Sequence, residues 1–296
     1  MSDLMNLFND LDRTTQVSDK KDSKVLRAPF GYPGGKTKSV PNILKHLPYK
    51  KTYVEPFGGS AAVLLARQPV DLEVYNDRYG GVVAFYRCLR DPVKYQSLID
   101  YLELTVHSRE DFVDAKETWC DERDDVVRAG KWYYMVNYSF SSLGRNFGRA
   151  TAPRGLIAGK VTNKLKRFPY IHNRLKRVQI ENQDWIDCMR DYDGKDTVFY
   201  IDPPYVDAYP GAFVEEMKHD DHRRLLETIF KLRGFCAVSG YSNPLYENND
   251  WDAKYSWETF ISMESCSFTE GNYKSCLEGV AKRQNAEEVL WIREGR

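Results

Sequence analysis

The chain has 296 residues, of which 42% are hydrophobic and 29% are charged. This is enough apolar material for one large domain, or for one domain carrying an inserted second, and it excludes a disordered or collagen-like chain. The 43 Lys and Arg residues balance the 43 Asp and Glu residues. The net charge therefore indicates neither a nucleic acid nor a membrane as the partner.

Membrane, secreted and zinc-binding proteins are disfavoured by the residue pattern. No apolar run approaches the roughly 20 residues of a membrane span, and the first residues lack the basic and then apolar pattern of a signal peptide. The six cysteines form no C-x-x-C pair, and the histidines lack zinc-ligand spacing. We interpret His219-Asp220-Asp221-His222 as a helix start, not a metal site. The sequence predicts a soluble, intracellular protein without metal.

The order of the predicted elements indicates the fold class. Residues 1–27 are polar with few aromatic residues, which predicts a flexible N-terminal tail. From Ala28 onward, short β-rich runs alternate with helical patterns. The predicted strands cover residues 52–54, 72–75, 178–180, 197–201, 235–238 and 289–292. Strands separated by helices predict an α/β fold with a mainly parallel, doubly wound sheet.

The alternation breaks between residues 90 and 172, where helical stretches at 95–104 and 131–138 precede a segment rich in Gly and Arg. We interpret residues 90–172 as a second, mostly helical domain inserted into the first, which comprises residues 28–89 and 173–296. From Arg145 to Arg177 there are ten basic residues and no acidic one, interleaved with aromatic residues and glycines. This mixture predicts contact with a nucleic acid, and a solvated basic face is the alternative.

Ligands of a doubly wound sheet bind beyond the carboxyl ends of its strands. The first strand runs into Glu55-Pro56-Phe57-Gly58-Gly59-Ser60. Two glycines at a strand-to-helix turn let a ligand approach the backbone closely. Glu55 would repel a pyrophosphate and attract a cation. These residues favour a nucleoside that carries an amino acid over NAD, and an ordinary tight turn is the alternative.

Two further strand ends offer ligands for the same nucleoside. Asp77 lies 22 residues after Glu55 (77 minus 55), close to the offset of about 20 residues at which an acidic side chain binds ribose hydroxyls. It could also cap the next helix. Asp184 and Trp185 follow the third strand and could hydrogen-bond and stack on an adenine. Trp185 also fits the core of a helix.

The fourth strand ends in Asp202-Pro203-Pro204-Tyr205. The two prolines hold a stiff, extended corner immediately after the carboxylate. The corner offers a carboxylate oxygen, a backbone carbonyl and an aromatic face to one planar amine. If two acceptors hydrogen-bond to the hydrogens of an exocyclic amino group, they draw its nitrogen toward tetrahedral geometry and expose the lone pair. These four residues predict a site that alkylates an exocyclic amine, against a structural Pro-Pro loop as the alternative.

Three motifs occur in a specific order: Tyr32-Pro33-Gly34-Gly35-Lys36, then Glu55 to Gly59, then Asp202 to Tyr205. In this order the chain resembles the Dam-type DNA adenine-N6 methyltransferases of the alpha group, over about residues 28–296. Ser239-Gly240-Tyr241 and Glu287-Glu288-Val289-Leu290-Trp291-Ile292 are also similar to that family. The resemblance implies a Rossmann-like methyltransferase sheet, with S-adenosyl-L-methionine as methyl donor. It also implies roles for Tyr32 and Lys36, besides Asp202, at the cofactor and target pocket.

The resemblance further implies double-stranded DNA as the partner and a target adenine that is extruded from the duplex. Tyr205 would stack on that base, while Asp202 and the Pro203 carbonyl would accept its N6 hydrogens. We expect a monomeric, site-specific enzyme of the restriction-modification type that binds no metal and no membrane. Its expected place is the cytoplasm of a bacterial cell or phage-infected host.

Within the insertion, Phe140-Ser141-Ser142-Leu143-Gly144-Arg145 resembles the base-reading segment of that family. Leu143 and Arg145 match it, whereas Ser141 stands in place of an Asn and Ser142 in place of a Gly. Arg145 is the candidate for contacts to guanine O6 and N7. The other predicted DNA contacts are Asn146, Arg149, Lys160, Lys164, Lys166 and Arg167.

Two other functions remain as alternatives. An N4-cytosine or RNA methyltransferase is one, since the corner presents acceptors to any exocyclic amine. A non-catalytic DNA-binding protein of the same fold is the other, and the intact Asp202 with its set of cofactor residues argues against it.

Overall fold

A seven-stranded mixed sheet forms the centre of the protein. The computed structural model describes residues 25–149, 157–206, 217–262 and 283–296. The strands are β1 (Thr52–Glu55), β2 (Leu72–Asn76), β3 (Val178–Glu181), β4 (Thr197–Ile201), β5 (Phe235–Tyr241), β6 (Ala253–Ser262) and β7 (Arg283–Arg293). Their order is β3-β2-β1-β4-β5-β7-β6. The first five pair in parallel, and β7 pairs antiparallel to β5 and β6. The predicted α/β fold with a mainly parallel, doubly wound sheet is confirmed.

Alternating side chains of the central strands enter two separate hydrophobic cores. Val198 and Tyr200 on β4 belong to one core, and Phe199 and Ile201 belong to the other. Successive side chains of a strand point to opposite faces of a sheet. Both faces are therefore covered, which explains why all five residues of β4 are buried and read as a continuous apolar run.

Eleven α-helices and a short 3-10 helix occur in the described ranges, several of them started by a side-chain cap. Asp91, Ser108 and Asp124 each accept hydrogen bonds from backbone N–H groups of the first turn that follows. The helices are α1 (Val40–Leu44), α2 (Ala62–Ala66), α3 (Gly80–Arg90), α4 (Pro92–Glu103), α5 (Arg109–Thr118), α6 (Asp125–Tyr138), the 3-10 helix (Phe140–Ser142), α7 (Ile157–Leu165), α8 (Phe168–Leu175), α9 (Trp185–Asp191), α10 (His219–Ile229) and α11 (Pro244–Glu247).

The helices between β2 and β3 pack on the sheet through aromatic side chains. Tyr133 on α6 stacks on Phe85 of α3, with ring centroids 4.9 Å apart, and Phe168 of α8 meets both rings edge to face. These rings share one core with β1 and β4. The helical region therefore continues the hydrophobic core of the sheet. The predicted limits, 90–172 for the insertion and 28–89 with 173–296 for the methyltransferase domain, stay a prediction, and residues 1–24 of the predicted tail lie outside the described residues.

One cation of the basic stretch has a structural role. Arg174 on α8 forms a bidentate ion pair with Glu73 on β2, and its guanidinium also donates to the backbone oxygen of Leu64. Glu73 is 1% exposed. A buried carboxylate is stable only when paired and hydrogen-bonded. Arg174 therefore stabilises the fold and is not a candidate for contact with a partner.

Within the described ranges, no helix has the length and apolar character needed to span a membrane. Over the same residues, no three His, Cys, Asp or Glu side chains are grouped so that they could hold a metal ion. His222, one half of the histidine pair noted in the sequence, is buried on α10 with Nδ1 2.8 Å from the Tyr246 hydroxyl.

Candidate active site

A cavity opens beyond the carboxyl ends of β1, β2 and β4. Twelve of the predicted cofactor and catalytic residues line it: Tyr32, Lys36, Glu55, Phe57, Gly58, Gly59, Ser60, Asp77, Trp185, Asp202, Pro204 and Tyr205. The wall also includes residues that the sequence did not single out for this site, namely Ala62, Val63, Arg78, Tyr79, Tyr200, Met217 and Asp221. The predicted cofactor motif and the predicted catalytic motif, more than 140 residues apart in sequence, therefore line one cavity.

The glycine turn after β1 packs closely on β2. A Cβ atom added to Gly58 would lie 2.2 Å from the Tyr75 ring, so only glycine fits there. The Tyr75 hydroxyl donates to the Gly59 carbonyl at 2.7 Å. Gly59 (φ +47°) and Ala61 (φ +53°) both adopt the left-handed conformation. The turn is thus held rigidly with its backbone against the cavity.

Asp77 joins the end of β2 to this turn. Its Oδ2 accepts from the Gly59 N–H at 2.7 Å, and its Oδ1 accepts from the Tyr79 N–H at 2.8 Å. The N-cap position of α3 is Tyr79 and not Asp77. Asp77 therefore does not cap α3 from the N-cap position, and it lines the cavity while fixing the backbone that a nucleoside would approach.

A buried amide clamps three strand ends together. The Nδ2 of Asn76 donates to the backbone oxygens of Pro56, at 2.8 Å, and Gln183, at 3.2 Å, and its Oδ1 accepts from the Gln183 N–H at 3.0 Å. Pro56 is a member of the glycine turn that does not line the cavity. Asn76 is fully buried, so the loops after β1, β2 and β3 form one unit.

Glu55 is a buried carboxyl at the end of β1. It is 2% exposed, and its Oε1 accepts from the Tyr53 hydroxyl at 2.7 Å. Burial raises the pKa of Glu55 to about 8. A cation bound in the cavity would stabilise the ionised form of this group.

The third strand end contributes one ring to the cavity. Trp185 is 5% exposed and stacks on Phe57, with centroids 5.8 Å apart, so the two rings form an apolar wall suited to a base. Asp184 does not line the cavity: its Oδ1 accepts from the Ile186 N–H at 2.9 Å and caps α9. The alternative interpretation of Trp185, as a core residue of a helix, also holds, since it packs in the second core.

In the predicted catalytic corner, two donors hold one oxygen of Asp202. Lys36 Nζ lies 2.8 Å from Oδ1, and the Ser239 hydroxyl donates to the same atom at 2.8 Å. Ser239 on β5 is in turn 3.0 Å from the Tyr200 hydroxyl on β4. Lys36 also donates to the Gly34 carbonyl at 2.6 Å. The carboxylate is therefore oriented by neighbours from the adjacent strand β5 and from the Tyr32 to Lys36 loop.

Tyr205 is held at its hydroxyl, its edge and its face. The hydroxyl donates to Glu288 Oε1 on β7. The ring meets Tyr241 edge to face at 4.6 Å, and Lys36 Nζ lies 4.7 Å from the ring centroid. Burial raises the pKa of both the Tyr205 hydroxyl and the Glu288 carboxyl. Pro203 is buried behind this corner and does not line the cavity.

Sequence reasoning had not assigned Ser239, Tyr200 or Glu288 to this site. Ser239 and Glu288 lie in the two late segments that resemble the methyltransferase family, which is the signal that could have pointed to them. Tyr200 is hidden within the apolar run of β4 and carries no comparable signal.

The predicted base-reading segment forms a narrow loop. Phe140 N–H donates to the Asn146 carbonyl and Gly148 N–H to the Tyr138 carbonyl, each at 2.7 Å. Phe140 is 51% exposed. Ser142 has a φ of +59°, the conformation that favours glycine. A Cβ on Gly31 would lie 2.7 Å from Ser142 Oγ, so this loop packs directly beside the Tyr32 to Lys36 loop of the cavity.

The predicted DNA contacts differ in how free their side chains are. Arg145, Asn146, Arg149 and Lys166 are exposed, and Arg167 is half-buried, whereas Leu143 is half-buried and Gly144 behind it is buried. Lys164 is half-buried, and its Nζ donates to Asn137 Oδ1 at 2.6 Å. The side chains of Ser141 and Lys160 lie outside the part of the chain that the structure describes.

Three similarities to known proteins accompany this geometry. A family model described as D12 class N6 adenine-specific DNA methyltransferase matches residues 32–278. The modification methylase LlaI of Lactococcus lactis subsp. lactis is 25% identical over 203 residues, in a match that covers 63% of this chain and 31% of that protein. This chain thus spans about a third of the length of that relative. The solved structure of protein LPL1258 from Legionella pneumophila str. Philadelphia 1 is 12% identical, with a TM-score of 0.30 over 90% of this chain and 86% of the other.

Proposed function

Because the chain belongs to the D12 class N6 adenine-specific DNA methyltransferase family, we propose that it transfers a methyl group from S-adenosyl-L-methionine to adenine N6 in double-stranded DNA. The observation that carries this proposal is the shared cavity. It joins the rigid glycine turn after β1 to the oriented carboxylate of Asp202 after β4.

The cavity has the chemistry that S-adenosyl-L-methionine requires. Its wall includes the carboxyl groups of Glu55, Asp77, Asp202 and Asp221, which suit an ammonium group, a sulfonium group and ribose hydroxyls. The stacked rings of Phe57 and Trp185 suit an adenine. When bound, the cofactor would supply an electrophilic methyl group and leave as a neutral thioether, and the surplus proton of the methylated amine would be released to solvent.

The residues of the corner would then prepare the target amine. Asp202 would accept an N6 hydrogen of an extruded adenine, which helps to expose the nitrogen lone pair toward the methyl donor. The Pro203 carbonyl, which does not line the cavity in this structure, stays the predicted acceptor of the second hydrogen. Tyr205 provides the ring on which the base stacks. Lys36 and Ser239 keep Asp202 in the required orientation by occupying its Oδ1.

The finer assignment is to the Dam-type alpha group. It is supported by the order of the segments, in which the glycine turn precedes the basic helical region and the Asp202 corner follows it. We propose that residues 90–172 recognise DNA and that the remainder carries the chemistry. A role as the modification enzyme of a restriction-modification system is proposed on the same basis.

Sequencing with a modified-base readout tests the function directly. Unmethylated plasmid DNA is incubated with the protein and S-adenosyl-L-methionine, and the Asp202→Ala variant serves as the inactive control. We expect N6-methyladenine at a defined sequence with the wild type. With the variant we expect activity to fall by at least about 100-fold, because polarisation of the amine is removed.

The same readout distinguishes the alternatives. Methylcytosine would reassign the target base, and methylation by Asp202→Ala close to the wild-type level would remove Asp202 from the mechanism. A wild-type protein that binds DNA and leaves it unmodified would be a non-catalytic DNA-binding protein.

A further inference from the structure

The last strand carries a buried carboxylate in an otherwise apolar segment. Glu288 is 4% exposed, and the four residues that follow it, Val289 to Ile292, are buried and apolar. A carboxylate in such a position is costly unless it is paired and hydrogen-bonded. Its partners should therefore explain why β7 contains an acidic residue at this point.

Both partners of Glu288 belong to the catalytic corner. The Tyr205 hydroxyl donates to Oε1, and Lys36 Nζ lies 3.7 Å from the same oxygen. The backbone of Glu288 pairs in register with Tyr241 on β5, whose ring packs against Tyr205. β7, which is distant from Tyr205 in sequence, thus contacts the corner through the Glu288 side chain.

The hydroxyl contact fixes the part of Tyr205 that the backbone leaves free. Pro203 and Pro204 restrict the chain before Tyr205, but they do not set its side-chain torsions. Tyr241 packs against the ring edge to face. The hydrogen bond to Glu288 holds the far end of the ring in place and so restrains its swing about χ1, whereas the packing of Tyr241 restrains the rotation of the ring plane.

We propose that Glu288 is a positioning residue for methyl transfer, which holds the far end of the Tyr205 ring in the position at which the target base stacks on it. This inference rests on the proposed function. The required property is an acceptor at Oε1 and not the negative charge. Small errors in the orientation of a reacting group are costly in rate, so removal of this contact should slow methyl transfer without weakening cofactor binding.

The test is the single-turnover rate constant of methyl transfer to a duplex oligonucleotide that carries the site methylated by the wild type. Glu288→Ala and Tyr205→Phe should each lower it by about tenfold or more, since each removes the hydrogen bond that holds the Tyr205 ring in position. The double variant should be no slower than the single ones, because both remove one contact. Glu288→Gln should stay within about threefold of the wild type, since its amide oxygen still accepts.

Glu287, the exposed neighbour on the same strand, provides the matched control. Glu287→Ala should have the wild-type rate, and calorimetric titration with S-adenosyl-L-methionine should give the same dissociation constant for all variants. If Glu288→Ala does not fold, the Gln and Tyr205→Phe variants carry the test.

If the wild type methylates adenine, any one of three results would overturn the inference. These are a wild-type rate for Glu288→Ala or Tyr205→Phe, independent decreases that multiply in the double variant, or a Glu288→Gln rate as low as that of Ala. Absence of adenine methylation by the wild type would instead refute the proposed function, and the inference with it.

Discussion

Carboxyl groups dominate the wall of the cavity at the level of single residues. Glu55, Asp77, Asp202 and Asp221 line it, against two basic residues, Lys36 and Arg78. Lys36 is itself paired with Asp202. The balance favours a ligand with positive charge, which agrees with the proposed methyl donor.

We expect cofactor affinity to depend on the ionisation of Glu55. The pKa of this carboxyl is raised to about 8, so at neutral pH the free protein holds it mostly protonated. A cationic ligand stabilises the carboxylate and expels the proton. Affinity should therefore rise as the pH increases toward about 8, by up to about tenfold per pH unit, and level off above it.

Calorimetric titrations with S-adenosyl-L-methionine across this pH range measure the effect. The amino group of the ligand also titrates, with a pKa of about 8. Glu55→Gln is therefore the control, because in this variant the pH dependence of the affinity comes from the ligand and no longer from Glu55. Equal pH profiles for the wild type and Glu55→Gln would show that Glu55 does not sense the bound cation.

Asp77 should contribute to cofactor binding beyond its role in the turn. Asp77→Ala is expected to weaken S-adenosyl-L-methionine binding by about 10 to 100-fold, since charge-assisted hydrogen bonds contribute about 1.5 to 3 kcal/mol. The exposed Asp71, which precedes β2 at its other end, gives the control Asp71→Ala. An unchanged dissociation constant in a folded Asp77→Ala protein would limit Asp77 to holding the Gly59 and Tyr79 N–H groups.

The sequence predicted the acidic strand ends because the parallel topology alone brings them together. Glu55, Asp77 and Asp202 each lie at the end of a buried strand, and such positions converge at one edge of a parallel sheet. Glu288 and Ser239 could not be assigned in the same way. Each is a polar residue within a strand. Ser239 is brought to Asp202 by the pairing of β4 with β5, and Glu288 is brought to Tyr205 by the pairing of β5 with β7.

At the level of elements, the polarity of a strand segment explains which strands the sequence predicted. β4 is apolar throughout because both of its faces are covered. β6 at the sheet edge mixes charged and aromatic residues, with Lys254, Tyr255 and Glu258 among them, and the sequence did not predict it as a strand. β7 begins at Arg283, six residues before its predicted start at Val289 (289 minus 283). Polar strand segments lack the apolar pattern on which prediction depends.

The loop at Phe140 to Ser142 stores backbone strain at one position. Ser142 has a φ of +59°, which costs a non-glycine residue about 1 kcal/mol or more. Ser142→Gly should therefore raise the thermal unfolding temperature by about 2 °C, after allowance for the greater freedom of glycine in the unfolded chain. A decrease would mean that Ser142 Oγ stabilises the loop by more than the strain costs.

Ser97, exposed within α4, is the matched control. Ser97→Gly should lower the unfolding temperature, because glycine weakens a helix interior. Opposite signs for the same chemical change would assign the gain at Ser142 to its backbone conformation.

At the scale of the whole molecule, one segment links the helical region to the cavity. Phe30 packs in the aromatic core, with its ring 5.1 Å from Trp132 and 5.5 Å from Phe85. Gly31 follows and lies against Ser142 of the predicted base-reading loop. The next five residues form the cavity loop that ends at Lys36. A displacement of the predicted base-reading loop by DNA would thus act on the loop that carries Lys36, one of the two residues that hold Asp202.

The basic stretch should separate into residues that grip DNA and a residue that reads it. The chain is neutral overall, but residues 145–177 carry ten cations without an anion, of which Arg174 is committed to Glu73. Lys166 is exposed, and its Nζ contacts the nearby exposed Asn163, at 3.2 Å. Lys164 is half-buried and donates to Asn137 on α6, so Lys166 is the cleaner position to test. Lys166→Ala should weaken binding to all DNA sequences alike, because phosphates carry no sequence information. Removal of one phosphate partner should also make the slope of log affinity against log salt concentration shallower by about 0.9.

Arg145→Ala should behave differently, since Arg145 is exposed on the loop beside Phe140 and a bidentate contact to guanine is specific. The substitution should cost about 1 to 3 kcal/mol on the preferred site and little elsewhere, so methylation becomes less selective. The measurement is methylation of a DNA pool with randomised flanking bases, read by modified-base sequencing, with Lys166→Ala as the control. An equal decrease on every sequence would make Arg145 another phosphate contact. Because Ser141 and Ser142 replace the residues expected in the base-reading segment, that outcome would indicate an enzyme of relaxed specificity.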